Sequence, residues 1–114
     1  MRSLFIVLVL GTLAACASSG GYFEYKPDHW EGQNWAITGK ADVASDADTV
    51  IIKINDTDVI FGDLTKEHPE DEFTGSFEGY DVSAKCKLLD TGDKTANHKC
   101  SVSIDNKPAG DLTF

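Results

Sequence analysis

The feature that most restricts the fold of this chain is a strict alternation of apolar and polar residues that begins at Trp35 and returns almost to the last residue. Trp35, Ile37, Gly39, Ala41 and Val43 share one parity and Ala36, Thr38, Lys40 and Asp42 the other. In an extended chain these two sets point to opposite faces, as in a half-buried strand. Val50, Ile52 and Ile54 alternate with Ile51 and Lys53, the polar run Asn55-Asp56-Thr57-Asp58 turns the chain, and residues 59–64 return as the second arm of a hairpin. Residues 65–72, with Glu67, Pro69, Glu70, Asp71 and Glu72, read as a charged surface loop. Phe73, Gly75 and Phe77 resume the alternation, Glu78-Gly79 supplies a turn, and Tyr80, Val82, Ala84, Cys86 and Leu88 form the longest regular stretch. After a polar loop at 90–97, Cys100, Val102 and Ile104 alternate with Ser101 and Ser103, Asp105-Asn106-Lys107-Pro108 turns the chain, and 109–114 closes it. No segment of helical length carries apolar residues at three-to-four spacing. The pattern predicts an all-β domain: an antiparallel β-sandwich, immunoglobulin-like with about seven strands, or a small β-barrel.

The first residues follow a different rule. Arg2, the apolar run Leu4-Phe5-Ile6-Val7-Leu8-Val9-Leu10 and the small residues Ala14-Ala15 appear in the order of a secretory signal. The run is broken at Gly11 and Thr12, short of the ~17–25 apolar residues that cross a bilayer. With Leu13-Ala14-Ala15-Cys16 behind it, this segment resembles the signal of bacterial lipoproteins as a class, and the resemblance covers residues 1–16 only. It implies cleavage between Ala15 and Cys16, and lipidation of Cys16 by a thioether-linked diacylglycerol and an amide-linked acyl chain such as palmitate. Two or more chains anchor stably where one does not. Ala17 stands where many inner-membrane lipoproteins carry aspartate, so the resemblance places the protein at the outer membrane, facing the periplasm or the cell surface. The expected organisation is a signal peptide at 1–15, the lipidated cysteine with a tether and an aromatic lead-in at 16–34, and the β-domain at 35–114.

Loss of residues 1–15 leaves 99 residues, enough for one domain. It also removes Arg2, the single arginine, so the formal charge moves from −9 to −10. Such a surface repels nucleic acid and anionic head groups. Solubility explains most of the acidity, and a cationic protein partner is the specific alternative. With Cys16 assigned to lipid, Cys86 and Cys100 have each other in a compartment where disulfides persist. Their spacing matches neither Cys-x-x-Cys nor a zinc pattern, and a bridge closing such a loop is worth on the order of 3 kcal/mol. If 86 lies opposite 100 on neighbouring strands, then 84 opposes 102 and 82 opposes 104, all apolar. A bridge between two facing sheets fits the pattern equally.

Chemistry is sparse. His29, His68 and His98 fall in turns or loops with no nucleophile motif beside them, so no catalytic residue is assigned. Asp46-Ala47-Asp48 and Asp56-Thr57-Asp58 lack the glycine and distal glutamate of a calcium loop and read as turn formers, leaving no metal and no cofactor. Tyr22, Phe23, Tyr25 and Trp30 make either a binding surface or, with Trp35, a lid over one end of the core. Ile54-Asn55-Asp56 followed by Gly62-Asp63-Leu64-Thr65 is echoed by Ile104-Asp105-Asn106 followed by Gly110-Asp111-Leu112-Thr113, as two hairpins of similar chemistry would be. The functional expectation is a lipid-anchored binding or accessory protein of the cell envelope, without catalytic activity, that meets a protein partner there. Periplasmic lysozyme inhibitors are similar in size, anchoring and acidity, although their signature segments are not matched. An inhibitor or ligand trap for a cationic protein is therefore the second expectation, and an envelope enzyme the third.

Overall fold

The computed structural model describes residues 21–89 and 97–114. Cys16, the Ala15 cleavage point and most of the 90–97 loop lie outside these residues. Eight strands follow one another in the described residues: β1 (Tyr22–Tyr25), β2 (Trp35–Val43), β3 (Asp48–Ile54), β4 (Thr57–Leu64), β5 (Glu70–Phe77), β6 (Tyr80–Leu88), β7 (His98–Ile104) and β8 (Lys107–Thr113). β1 to β4 form one antiparallel sheet and β5 to β8 a second, each strand hydrogen-bonded to its sequence neighbour. One core lies between them, built from Trp35, Ile37, Val50, Ile52, Ile54, Ile60 and Leu64 on one side and Val82, Ala84, the two cysteines, Val102, Ile104 and Leu112 on the other.

The sandwich is the one that the alternation predicts, with differences of detail. Strand order is consecutive in both sheets, without the crossovers of an immunoglobulin domain. Cys86 and Cys100 are joined, and they sit directly opposite one another on β6 and β7 of one sheet, followed by Ala84 opposite Val102 and Val82 opposite Ile104. Tyr22-Phe23-Glu24-Tyr25, which the sequence offers as a short strand, is one: Tyr22 to Tyr25 pair with Thr38 to Trp35. The acidic run at 70–72 is strand and not loop. Glu70 faces Lys87 and Glu72 faces Lys85, so opposite charges stabilise the pairing while the exposed carboxylates guard a sheet edge.

Three hairpins close through two-residue turns: Glu78-Gly79 is the turn the sequence predicts, and the other two are shorter than the four-residue polar runs 55–58 and 105–108 suggest. Asn55-Asp56 (φ 51° and 66°), Glu78-Gly79 (52° and 83°) and Asp105-Asn106 (49° and 67°) all place both central residues in the left-handed region. That is the type I′ geometry, whose twist matches the flanking strands and which suits Asn, Asp and Gly. Thr57 and Lys107 therefore already belong to strands, and Pro108 is tolerated because β8 is an edge.

The two sheets repeat one another. The Asn55 side-chain oxygen accepts from the Ala36 amide at 2.9 Å, and the Asn55 amide donates to the Ala36 carbonyl at 2.9 Å. Asp105 makes the same two bonds to Asp81, both at 2.8 Å. Ile37 opposes Ile54 as Val82 opposes Ile104, Ala41 opposes Val50 as Cys86 opposes Cys100, and both second hairpins slip register at the same point, after Ile52 and after Val102. The likeness covers four strands on each side, more than two hairpins of similar chemistry. It is also not the correspondence that the Gly-Asp-Leu-Thr echo implies: Gly62 and Leu112 hold equivalent places, opposite Val50 and Cys100.

Candidate functional site

Successive strands reverse direction, so the two ends of the sandwich differ. The three type I′ turns and the 26–34 segment gather at one end, here the turn pole. Segments 44–47 and 65–69, with Leu89 and Asn97, form the other, the loop pole.

At the turn pole the 26–34 segment folds over the core as a bracket. Trp35 is fully buried beneath it, with Trp30, Phe77 and Tyr80 edge-on to its ring at centroid distances of 5.5, 5.0 and 5.2 Å. The bracket is held by the Trp30 amide donating to the Pro27 carbonyl at 3.2 Å, the Trp30 indole donating to the Gln33 carbonyl at 2.9 Å, and the Tyr80 hydroxyl donating to the Asp28 carbonyl at 2.9 Å. An ion pair from Lys107 on β8 to Asp28 closes it. His29 stands between, at φ 67°, a conformation that costs a non-glycine residue energy and recurs at binding sites.

This bracket leaves a recess of about 350 Å³, lined by Tyr25, Pro27, Asp28, His29, Tyr80, Ile104, Asp105 and Lys107. The size falls within the range of small-ligand sites, and two aromatic rings with a few convergent charged groups are what such sites use. The hydrogen bond from Lys107 holds the Asp28 carboxyl below the usual carboxylate range, and the same bond raises the Lys107 ammonium. Both charges therefore persist through neutral pH. Two carboxylates, Asp28 and Asp105, against one ammonium leave the recess acidic.

The four aromatics expected to form a surface are divided by the fold. Phe23 is only 7% exposed and packs over Gly110, where a Cβ would fall within 3.0 Å of its ring. Tyr22, 40% exposed, stands on the outer face with its hydroxyl donating to Glu24. Tyr22 and Phe23 border a wide groove of about 1050 Å³ that crosses Ser83, Ser101 and Ser103 on the outside of the second sheet. Tyr25 lines the turn-pole recess, and Trp30 is the lid over Trp35. The lid reading therefore holds for Trp30, while Tyr22 and Tyr25 remain at the surface and Phe23 joins the core.

His98 departs from its expected place in a loop. It opens β7 opposite Leu88 and is 2% exposed. Its Nδ1 donates to the Phe114 carbonyl at 3.0 Å, its Nε2 meets Asp48 Oδ2 at 2.7 Å, and its ring stacks on Phe114. Asp48 and His98 hold equivalent places in the two sheets, opposite Leu64 and Phe114, so the repeat is locked to itself at the loop pole. The polar character of 90–97 hid this strand start. Asp48 is thereby accounted for, Asp58 lies 3.7 Å from Lys53, and Asp56 is a turn residue. Among the described residues no three His, Cys, Asp or Glu side chains gather as metal ligands would. Comparisons with family models, curated proteins and solved structures find no match to this chain.

Proposed function

We propose that the protein is a lipid-anchored binding protein of the bacterial envelope, without catalytic activity, that recognises a basic protein partner through the turn-pole recess. The observation that carries this reading is the recess itself: two tyrosine rings and two carboxylates around one ammonium, on a domain whose formal charge after signal cleavage is −10. A lysine or arginine side chain suits such a place. Its aliphatic stem lies between Tyr25 and Tyr80, where cation–π attraction adds to burial, and its head competes with Lys107 for Asp28 and Asp105. The acidic surface steers a cationic partner inward and sets the salt dependence of its association. The lipobox-like segment supplies the location, with Cys16 as the acylated residue.

The charge favours one second reading within this frame, an inhibitor or trap for a cationic enzyme such as lysozyme. Both are tested by titrating the purified domain with lysozyme and with other basic envelope proteins at rising ionic strength, while following lysozyme activity. Binding that weakens with salt, and falls roughly ten-fold in Asp28→Asn/Asp105→Asn, supports the recess, as the loss of a charged contact would produce. Loss of lysozyme activity selects the second reading. A basic partner that binds the double variant as well as the parent protein overturns the assignment of the recess. Mass spectrometry of the N-terminal peptide tests the anchor, expected as a triacylated Cys16.

A further inference from the structure

We infer that residues 28–34 of the bracket are a gate, which lifts from Trp35 while both sheets stay folded, and that its latch is Asp28. The part played by a cationic ligand rests on the proposed function; the opening itself does not. Pro27 is buried and anchors the segment, whereas Asp28, His29 and 31–34 are exposed. The bonds that shape the tip are internal. The Trp30 amide and indole donate to the carbonyls of Pro27 and Gln33, and the Trp30 ring lies on Gly32, where a Cβ would fall 2.8 Å from the indole nitrogen. The tip can therefore move as one piece. Among the described residues, two links tie it to the second sheet and both end on Asp28: the Tyr80 hydroxyl donates to its carbonyl, and Lys107 pairs with its carboxylate. Toward β1 there is a long bond of 3.4 Å from the Asn34 amide to Glu24. Exposed links of this kind are the ones that yield in local opening.

What lies beneath the tip favours its opening. Trp35 is fully buried, yet its indole Nε1 has no acceptor among the described residues. A buried donor in that state costs free energy while the gate is shut, and recovers it once water or a ligand reaches the nitrogen. His29, at φ 67°, adds backbone strain to the shut form. Edge-on packing of Trp30 against Trp35 opposes both and keeps the shut form the resting one. Because Pro27, Asp28 and His29 line the recess, lifting the tip widens it toward Trp35. A cation that takes the Asp28 carboxylate from Lys107 removes one of the two links. Ligand entry and gate opening are thus coupled at one side chain, and the ligand favours the open form by what it gains there.

Hydrogen exchange of the two indole N–H groups, followed by NMR in the purified protein with no partner present, tests the gate; Trp30→Phe assigns the signals. Corrected for intrinsic rates, the Trp35 indole proton should exchange on the order of a hundred-fold faster than the slowest amides of β3. In Lys107→Met/Tyr80→Phe, which severs both links and keeps the ring at 80, it should gain roughly another ten-fold while those amides gain less. Indole exchange no faster than the slowest amides would mean that Trp35 is reached only by unfolding, and overturns the gate. Exchange that the double variant leaves unchanged, or that rises only in step with the β3 amides, overturns the latch at Asp28. The proposed function fails separately: a basic protein that binds Asp28→Asn/Asp105→Asn as tightly as the parent removes the cation from the recess, whatever the indole exchange shows.

Discussion

The two sheets share one backbone plan and fill it differently. At the row where β6 and β7 carry the Cys86–Cys100 bond, β2 and β3 carry Ala41 opposite Val50. One row toward the turn pole, Ile52 and Ile60 in the first sheet correspond to Val102 and Gly110 in the second. The connections differ in step with the filling. β2 and β3 are joined by the short segment 44–47, whereas β6 and β7 are joined through nine residues, 89–97. Closing a longer connection costs more chain entropy, and smaller side chains bury less apolar area to offset it. The covalent bond stands in the sheet that has both disadvantages. Aliphatic bulk and a cross-link are thus alternative ways of holding the same geometry.

The most severe way to break the comparison is at its shared aromatic position. Trp35→Ala should cost about 3–5 kcal/mol in urea unfolding, and Tyr80→Ala, at the equivalent but half-buried place, distinctly less. Removing the bond with Cys86→Ala/Cys100→Ala should cost about 3 kcal/mol by the same assay. An unchanged midpoint would mean that the second sheet does not depend on its staple. Transplanting the bond sharpens the comparison: Ala41→Cys/Val50→Cys should oxidise to a second disulfide and stabilise the domain by up to about 2 kcal/mol. Failure of those thiols to pair, read by mass spectrometry under non-reducing conditions, would show that the two rows are not equivalent. At the point where the sheets touch through equivalent residues, His98→Leu should cost about 1–3 kcal/mol, because Asp48 loses its buried imidazole partner, while the Phe114 carbonyl keeps the Asn97 and His98 amides. Faster amide exchange confined to the loop pole would mark that loss.

The smallest effect lies at the recess. Asp28 is held below its ordinary range, so its pairing with Lys107 is in place above that range and is lost as pH falls through the lowered value. Lys107 is held above its ordinary value, so its share is in place below that value and fades as pH rises through the raised one. Both groups are exposed, and global stability should scarcely change in Lys107→Met. The Asp28 carboxyl should nevertheless titrate at a higher pH in that variant, read by NMR of the side-chain carbon. An unmoved titration would remove the ion pair from the description of the recess.

Period two belongs to the extended backbone, and so the strands, the turn at Glu78-Gly79 and the facing rows below the cysteines could be read from residues alone. What escaped depends on partners distant in the chain. Phe23 is buried because Gly110, 87 positions later in the numbering, leaves room for its ring, and nothing near Phe23 announces that. Phe73 lies over Gly62 in the same way at the other junction between the sheets. His98 looked like loop because its acceptors, Asp48 and Phe114, come from two other parts of the chain. The recess was half legible: Tyr25 stood among the candidate residues, whereas Asp28, Asp105 and Lys107 meet only once β8 returns beside the bracket.

The two-residue turns have a kinetic consequence. Three hairpins can close on their own within microseconds, before either sheet is complete, since each needs only neighbours in the chain. The late event is then the docking of one half against the other, through two seams where a phenylalanine ring must settle over a bare glycine backbone. An added methyl at Gly62 or Gly110 would therefore slow that last step while leaving the early hairpins untouched.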